Sequence, residues 1–117
     1  MTIIDDYIQL RDEHIQKFGK KTTVLMQVGS FFEIYGIEKI DRHIHEVTGI
    51  LNIIVSKKNK KIEKIDSSNP LMAGFPISML EKYLDLLIND GYTVVIIEQI
   101  TEAPHPERQI TKIWSPS

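Results

Sequence analysis

Phe31 and Glu33 are the residues whose type and spacing could do chemistry. They stand in the run Gly29-Ser30-Phe31-Phe32-Glu33, and in an extended segment residues i and i+2 project to one side, roughly 6.5 to 7 Å apart. A ring and a carboxylate placed so form a wedge beside a hydrogen-bonding group. The plainer reading is a core aromatic and a solvated charge at a strand end, and the surrounding sequence has to choose.

The elements that would carry this pair follow from patterning. Thr23 to Val28 reads as a strand, and Phe31 to Tyr35 as a second one reached through a tight Gly-Ser turn. With Phe32 and Ile34 inward, Phe31, Glu33 and Tyr35 share the opposite face. Residues 3 to 18 place Ile4, Tyr7, Ile8, Ile15 and Phe18 at helical spacing, closed by Gly19-Lys20-Lys21. A second helix is expected over Glu38–Thr48 with Gly49 as its stop, then a strand over Leu51–Val55. The 57–61 segment turns the chain, with a hairpin return through Ile62 to Ile65 as one outcome, and 66–70 is a loop. Ser78–Asn89 reads as an amphipathic helix, Tyr92–Ile97 as a buried strand central in the sheet, residues 101–107 as an irregular connection, and Gln109–Trp114 as a last strand. The expectation is one α/β domain over residues 1–117, with a mixed β-sheet of about five to six strands flanked by three helices.

Composition bounds the function classes. With 42% hydrophobic and 26% charged residues, 117 residues can bury a real core. The absence of cysteine removes disulfides and thiolate metal sites. No apolar run nears the roughly 20 residues needed to span a bilayer, and the start, Met1-Thr2-Ile3-Ile4-Asp5-Asp6, lacks the features of a signal peptide. The expectation is a soluble intracellular domain with no membrane partner, its compartment open between cytoplasm, mitochondrion and a virus-associated setting.

Enzyme chemistry finds little support. No phosphate-binding Gly-rich loop occurs, so no nucleotide is expected to bind here. His43 and His45, two apart in an expected helix, point to different sides and make a poor metal pair. No spacing ties Asp5-Asp6, Asp12-Glu13, Glu33 and Glu98 into a carboxylate cluster, and Glu98-Gln99 at a strand exit suits hydrogen bonding between loops. Charge is unevenly spread: the net is −2, yet Lys57, Lys58, Lys60, Lys61 and Lys64 fall in one short segment, either a phosphate-facing loop or a solvated turn.

Four strings taken together resemble the N-terminal mismatch-recognition domain of the MutS family of DNA mismatch repair proteins. Gly29-Ser30-Phe31-Phe32-Glu33 is similar to the family's Gly-Asp-Phe-Tyr-Glu, Met72-Ala73-Gly74-Phe75-Pro76 to Met-Ala-Gly-Ile/Val-Pro, and Ile97-Glu98-Gln99 to Cys-Glu-Gln. Glu107 to Ile113 is similar to Glu-Arg-Lys-Val-Val-Arg-Ile, followed by Ser115-Pro116-Ser117 where Thr-Pro-Gly is usual. Order and spacing agree over nearly the whole chain. Ser30 replaces Asp, Phe32 replaces Tyr and Ser117 replaces the final Gly, and none of these removes the ring or the carboxylate. The run around Phe31 looks closer to the divergent MutS branch of giant viruses and octocoral mitochondria than to the common bacterial branch.

The resemblance implies a DNA-binding module. Phe31 would enter the minor groove at a mispaired or unpaired base and Glu33 would hydrogen-bond that base. Lys57 and Lys58 lie where the family has a Thr-Lys-Arg segment and would face phosphates. Met26 or Val28 would line the approach, Arg108 would reach DNA or pair internally with a carboxylate such as Glu98, and Trp114 would serve packing or an interdomain edge. The partners implied are double-stranded DNA with mismatches or small loops and the other MutS domains of a much longer, dimeric parent. That parent would be a DNA-dependent ATPase using ATP and Mg, with no cofactor and no catalysis in this domain. A competing reading keeps the fold but makes it a structural or protein-interaction module, with Phe31 packed against a partner.

Overall fold

The computed structural model of the chain describes residues 3–102 and 104–116. Met1-Thr2, Ala103 and Ser117, on which parts of the readings of the start, the 101–107 connection and the family's final Gly fall, lie outside the described residues.

The first helix, α1, spans Ile3–Phe18 and buries Ile4, Tyr7 and Arg11, a stripe at i, i+3 and i+7. It stops where Gly19 turns to φ +106°, a conformation only Gly adopts cheaply. There follow β1 (Thr22–Val28), β2 (Phe31–Gly36), α2 (Arg42–Leu51), β3 (Ser56–Lys57) and β4 (Leu71–Pro76). A 3-10 turn (Ile77–Met79), α3 (Leu80–Asn89), β5 (Thr93–Gln99) and β6 (Arg108–Trp114) complete the chain. The six strands form one mixed sheet in the order β3-β4-β2-β1-β5-β6. Only β1 and β5 run parallel, and both are buried along most of their length, as parallel strands covered on both faces are.

The helices divide between the two faces of the sheet. Tyr7 of α1 donates to the Val24 carbonyl at 2.7 Å and meets Tyr35 edge-on at 5.2 Å, a geometry worth about 1 kcal/mol beyond the buried area. On the opposite face His43 of α2 lies 3.0 Å from the Thr23 hydroxyl. Tyr83 of α3 packs on Phe75, which in turn meets Phe32. Arg11 bonds Asp41 at 3.3 Å and the Tyr35 carbonyl at 3.4 Å, joining α1 to the start of α2. Burial opposes the Arg11 charge, but Asp41 and then Tyr7 outweigh it and hold the guanidinium protonated.

Residues 38–55 and 57–65 differ from the sequence-based expectation. α2 begins at Arg42 because Asp41 caps it, accepting from the Ile44 N–H at 3.0 Å. Gly49 does not stop it; the helix runs through Gly49 to Leu51, whose side chain is the next inward position after Ile44, Val47 and Thr48. Asn52 then takes φ 56°, ψ 46°, and the Ile53 N–H returns to the Thr48 carbonyl at 3.1 Å, a left-handed stop of the Schellman kind. The apolar run 51–55 is therefore a helix end and a connection, with Ile54 exposed, and not a strand. Nor does the chain return through Ile62–Ile65 as a hairpin. Buried Asn69 donates to the Ile62 and Lys64 carbonyls at 3.1 and 2.9 Å and accepts from the Asn59 N–H at 2.8 Å. These bonds satisfy the loop backbone locally, and the strand that pairs with β3 is Leu71–Pro76.

Candidate nucleic-acid interface

The β1–β2 hairpin has a two-residue turn, Gly29-Ser30, with Val28 opposite Phe31. Gly29 stands at φ +61° while Ser30 keeps a negative-side conformation, as a type II′ turn with Gly first requires. Alternation along β2 then sends Phe32 and Ile34 into the core, and Phe31, Glu33 and Tyr35 to the α1 face. α1 packs on Tyr35, which is 5% exposed, whereas Phe31 is 45% exposed. Glu33, between them, is half-buried.

Glu33 has a defined seat. The Tyr35 hydroxyl donates to its Oε1. Burial first, and the Glu33 carboxylate second, push the Tyr35 hydroxyl well above the usual phenol range, so it stays a donor at any physiological pH. Across the sheet Glu33 faces Gly74 of β4. A Cβ at Gly74 would stand 2.7 Å from the Phe32 carbonyl oxygen and 3.3 Å from Glu33 Cγ, so the glycine of Met72-Ala73-Gly74 is the space in which the Glu33 stem lies. Pro76, opposite Phe31, is exposed beside the ring. Met26 and Val28 pair with Glu33 and Phe31 on the other side; Met26 is buried beneath the face and Val28 half-buried at its edge.

Arg108 belongs to the same sheet face, two strands beyond β1: it pairs with Gln99 of β5. Its Nε donates to the Gln27 carbonyl at 2.9 Å and a terminal nitrogen to Gln99 Oε1 at 3.3 Å. Glu98 is not its internal partner, because neighbouring strand residues face opposite sides; Glu98 accepts instead from the Thr111 hydroxyl. Beyond Met26, between α1 and β6, an open cleft of about 490 Å³ is lined by Asp6, Glu13 and Arg108 among others.

The structure does not bring Lys57 and Lys58 to this cluster. Lys57 pairs with Leu71 at the far end of β4 from Pro76, roughly 17 Å along the strand at about 3.4 Å per residue. The lysine segment is a separate surface whose backbone is tied by Asn69. Trp114, at the end of the edge strand β6, is 42% exposed. Among the described residues no three His, Cys, Asp or Glu side chains gather as a metal group, and no helix is long and apolar enough to cross a membrane.

Sequence reasoning expected Gln99 to hydrogen-bond between loops but not to which group, and it missed the others that hold the pair in place: Tyr35 as the donor to Glu33, Gly74 as its space, and Gln27 beside the turn. The i, i+2 spacing of Glu33 and Tyr35 carried the first. The glycine within Met-Ala-Gly and the glutamine within Glu-Gln were visible as strings, but their targets lie on other strands.

Known proteins similar to this chain match it along nearly its whole length. A mutS homolog, L359, of Acanthamoeba polyphaga mimivirus is 29% identical over 117 residues, 98% of this chain and 10% of the relative. The mitochondrial DNA mismatch repair protein mutS homolog of Sarcophyton glaucum is 27% identical, covering 95% and 13%. The DNA mismatch repair protein MutS 1 of Halobacterium salinarum is 32% identical, covering 99% and 12%. The chain thus spans about a tenth of the length of these curated relatives. The profile of MutS domain I matches residues 4–117, a range that takes in the turn, the Glu33 seat and β6 together, and the chain belongs to the MutS domain I family.

Proposed function

We propose that this chain is the mismatch-recognition module of a longer MutS-type DNA repair protein, in which Phe31 is inserted at a mispaired or unpaired base and Glu33 hydrogen-bonds that base. The observation that carries the reading is the exposure of Phe31 on a turn of defined shape, with Glu33 beside it on the same face. A wedge of this kind unstacks one base step and kinks the duplex. Unstacking costs a few kcal/mol, less where pairing is already defective, so discrimination comes from deformability and not from reading a sequence. Glu33 adds a second filter: a carboxylate among phosphates is repelled, so contact with an intact duplex is penalised unless a base donor compensates.

The remaining functions fall outside this module. A net charge of −2 offers few phosphate contacts, and holding bent DNA needs many. The duplex grip, ATP and Mg binding, ATP hydrolysis and dimerisation are assigned to other regions of the longer protein. Lys57 and Lys58 lend a local phosphate contact, and Arg108 serves the turn more than the DNA.

Phe31→Ala in the full-length protein tests the reading. Removing stacking worth about 1 to 3 kcal/mol should abolish most of the preference for mismatched over matched duplex while leaving the fold intact. Retained preference in a binding titration would overturn it.

A further inference from the structure

The turn that carries Phe31 is held by more bonds than a hairpin needs. Its own ladder closes at Val28 and Phe31, yet the Gly29 N–H also donates to Gln99 Oε1 at 2.7 Å, and Gln27 Nε2 donates to the Gly29 carbonyl at 3.1 Å. The Gln99 N–H donates to Gln27 Oε1 at 2.9 Å. Arg108 donates to the Gln27 carbonyl and to Gln99 Oε1, and the Ile77 N–H reaches the Ser30 carbonyl at 2.9 Å. Both amide side chains are oriented by groups with a single possible role. A backbone N–H and a guanidinium can only donate, so each glutamine must turn its oxygen to them. Gln99 Oε1 is the centre, shared by Gly29 and Arg108.

Stacking has a short range, since dispersion and π contact fail within an ångström of misplacement. A ring on a loose hairpin tip would have to be ordered at the moment of insertion, and that ordering opposes binding. Ordering the tip beforehand removes the opposition only for the duplex into which the ring actually goes, and so acts on the mismatch preference and not on general affinity. We infer that Gln99, its side-chain oxygen held by Arg108 and its backbone N–H by Gln27, is a positioning residue for Phe31, holding the Gly29-Ser30 turn so that the ring is presented in its inserted direction. The inference rests on the wedge reading of Phe31.

Gln99→Met tests it, because the stem and its packing stay while the acceptor goes. In the full-length protein the ratio of mismatched to matched affinity should fall roughly three- to tenfold, the size of one side-chain ordering term. With Phe31→Ala already present, Gln99→Met should change the ratio no further. In the 117-residue chain itself, exchange of the Gly29 amide should quicken at least about tenfold on loss of its bond. Gln99→Glu keeps an acceptor for Gly29 and Arg108, so it should retain the slow amide and the ratio even as repulsion weakens both duplexes. Should Gln99→Met fail to fold, Gln27→Met, which removes the bonds to the Gly29 carbonyl and the Gln99 N–H, should give the same fall in the ratio. A fast Gly29 amide with an unchanged ratio, or equal weakening of both duplexes, would overturn the inference while leaving the wedge reading standing. If Phe31→Ala left the ratio untouched, the wedge reading would fall, and this inference with it.

Discussion

The Phe31 turn and the lysine segment 57–64 are both surface connections to which the proposed function gives a contact with DNA, and they are built in opposite ways. At the turn, Gln27 of β1 and Gln99 of β5 bind the Gly29 backbone and Arg108 of β6 binds the Gln27 carbonyl just before it. In the lysine segment one buried side chain, Asn69, ties the backbone, while Lys58, Lys60, Lys61 and Lys64 extend into solvent. The difference follows from how the two interactions decay. Charge acts over a Debye length of about 8 Å at physiological salt, so a lysine works from many positions. Stacking acts only in contact, so the ring must be placed.

The largest expected effect asks whether the two regions share one cooperative scaffold. Burial first, and the Arg11 charge second, lower the His43 pKa to about 4. The unfolded chain, with a His pKa near 6.5, takes up the proton first as pH falls. Stability from neutral His43 is therefore complete above about pH 6.5 and drains away toward pH 4, by about 3 kcal/mol for a shift of this size. Urea denaturation at pH 7 and pH 4.5 should show that loss in the wild type and a flatter dependence in His43→Gln. Amides of the turn and of the lysine loop should lose protection together; a loop that melts on its own would make it an autonomous unit. Next in size is Asn69→Ala. Three backbone bonds lose their partner, which should cost about 2 to 3 kcal/mol in chemical denaturation. The mismatch preference of the full-length protein should survive, and its loss would mean that the regions are coupled.

On the wedge side, Gly74→Ala drives a methyl group into the Phe32 carbonyl and the Glu33 stem, costing about 1 to 2 kcal/mol of stability. Here the preference should drop, with matched-duplex affinity rising as Glu33 leaves its seat; a preference equal to wild type would show that the seat is unimportant. The smallest effect belongs to Lys57→Ala with Lys58→Ala. Every phosphate that is no longer neutralised should reduce the salt slope of log K by about 0.9, equally for both duplexes. A selective loss of mismatch binding would undo the division between charge and contact.

What the sequence shows of this molecule is what local pattern can encode. α1 occupies the expected residues 3 to 18 because its apolar stripe and the Gly19 stop are both local. The alternation from Phe31 to Tyr35 placed each side chain on the correct face for the same reason. Leu51 to Val55 misled because a β-branched run says nothing about Asn52 turning left-handed. β4 was hidden in a string read only as a family motif, with a Gly and a Pro that argue against a strand until Glu33 and Phe31 are seen across from them. Gln99 was expected to bond between loops, but the partners of Gln27, Gln99 and Asn69 could not be read, since an amide side chain does not announce its partner.

Those bonds also set an order of events. The partners of Asn69 lie 5 to 10 residues away in the chain, whereas Gly29 and Gln99 are 70 apart and Gln27 and Arg108 are 81 apart. Loop closure costs about 0.6 kcal/mol for each doubling of length, so the turn's fastening is about 2 kcal/mol harder to nucleate than the loop's. The lysine loop can therefore organise early, and the ring acquires its fixed direction only once the last strand has docked. During synthesis the bonds to Arg108 cannot form before that residue has emerged, so a chain with the turn fully fastened is one in which β5 and β6 have already docked on β1.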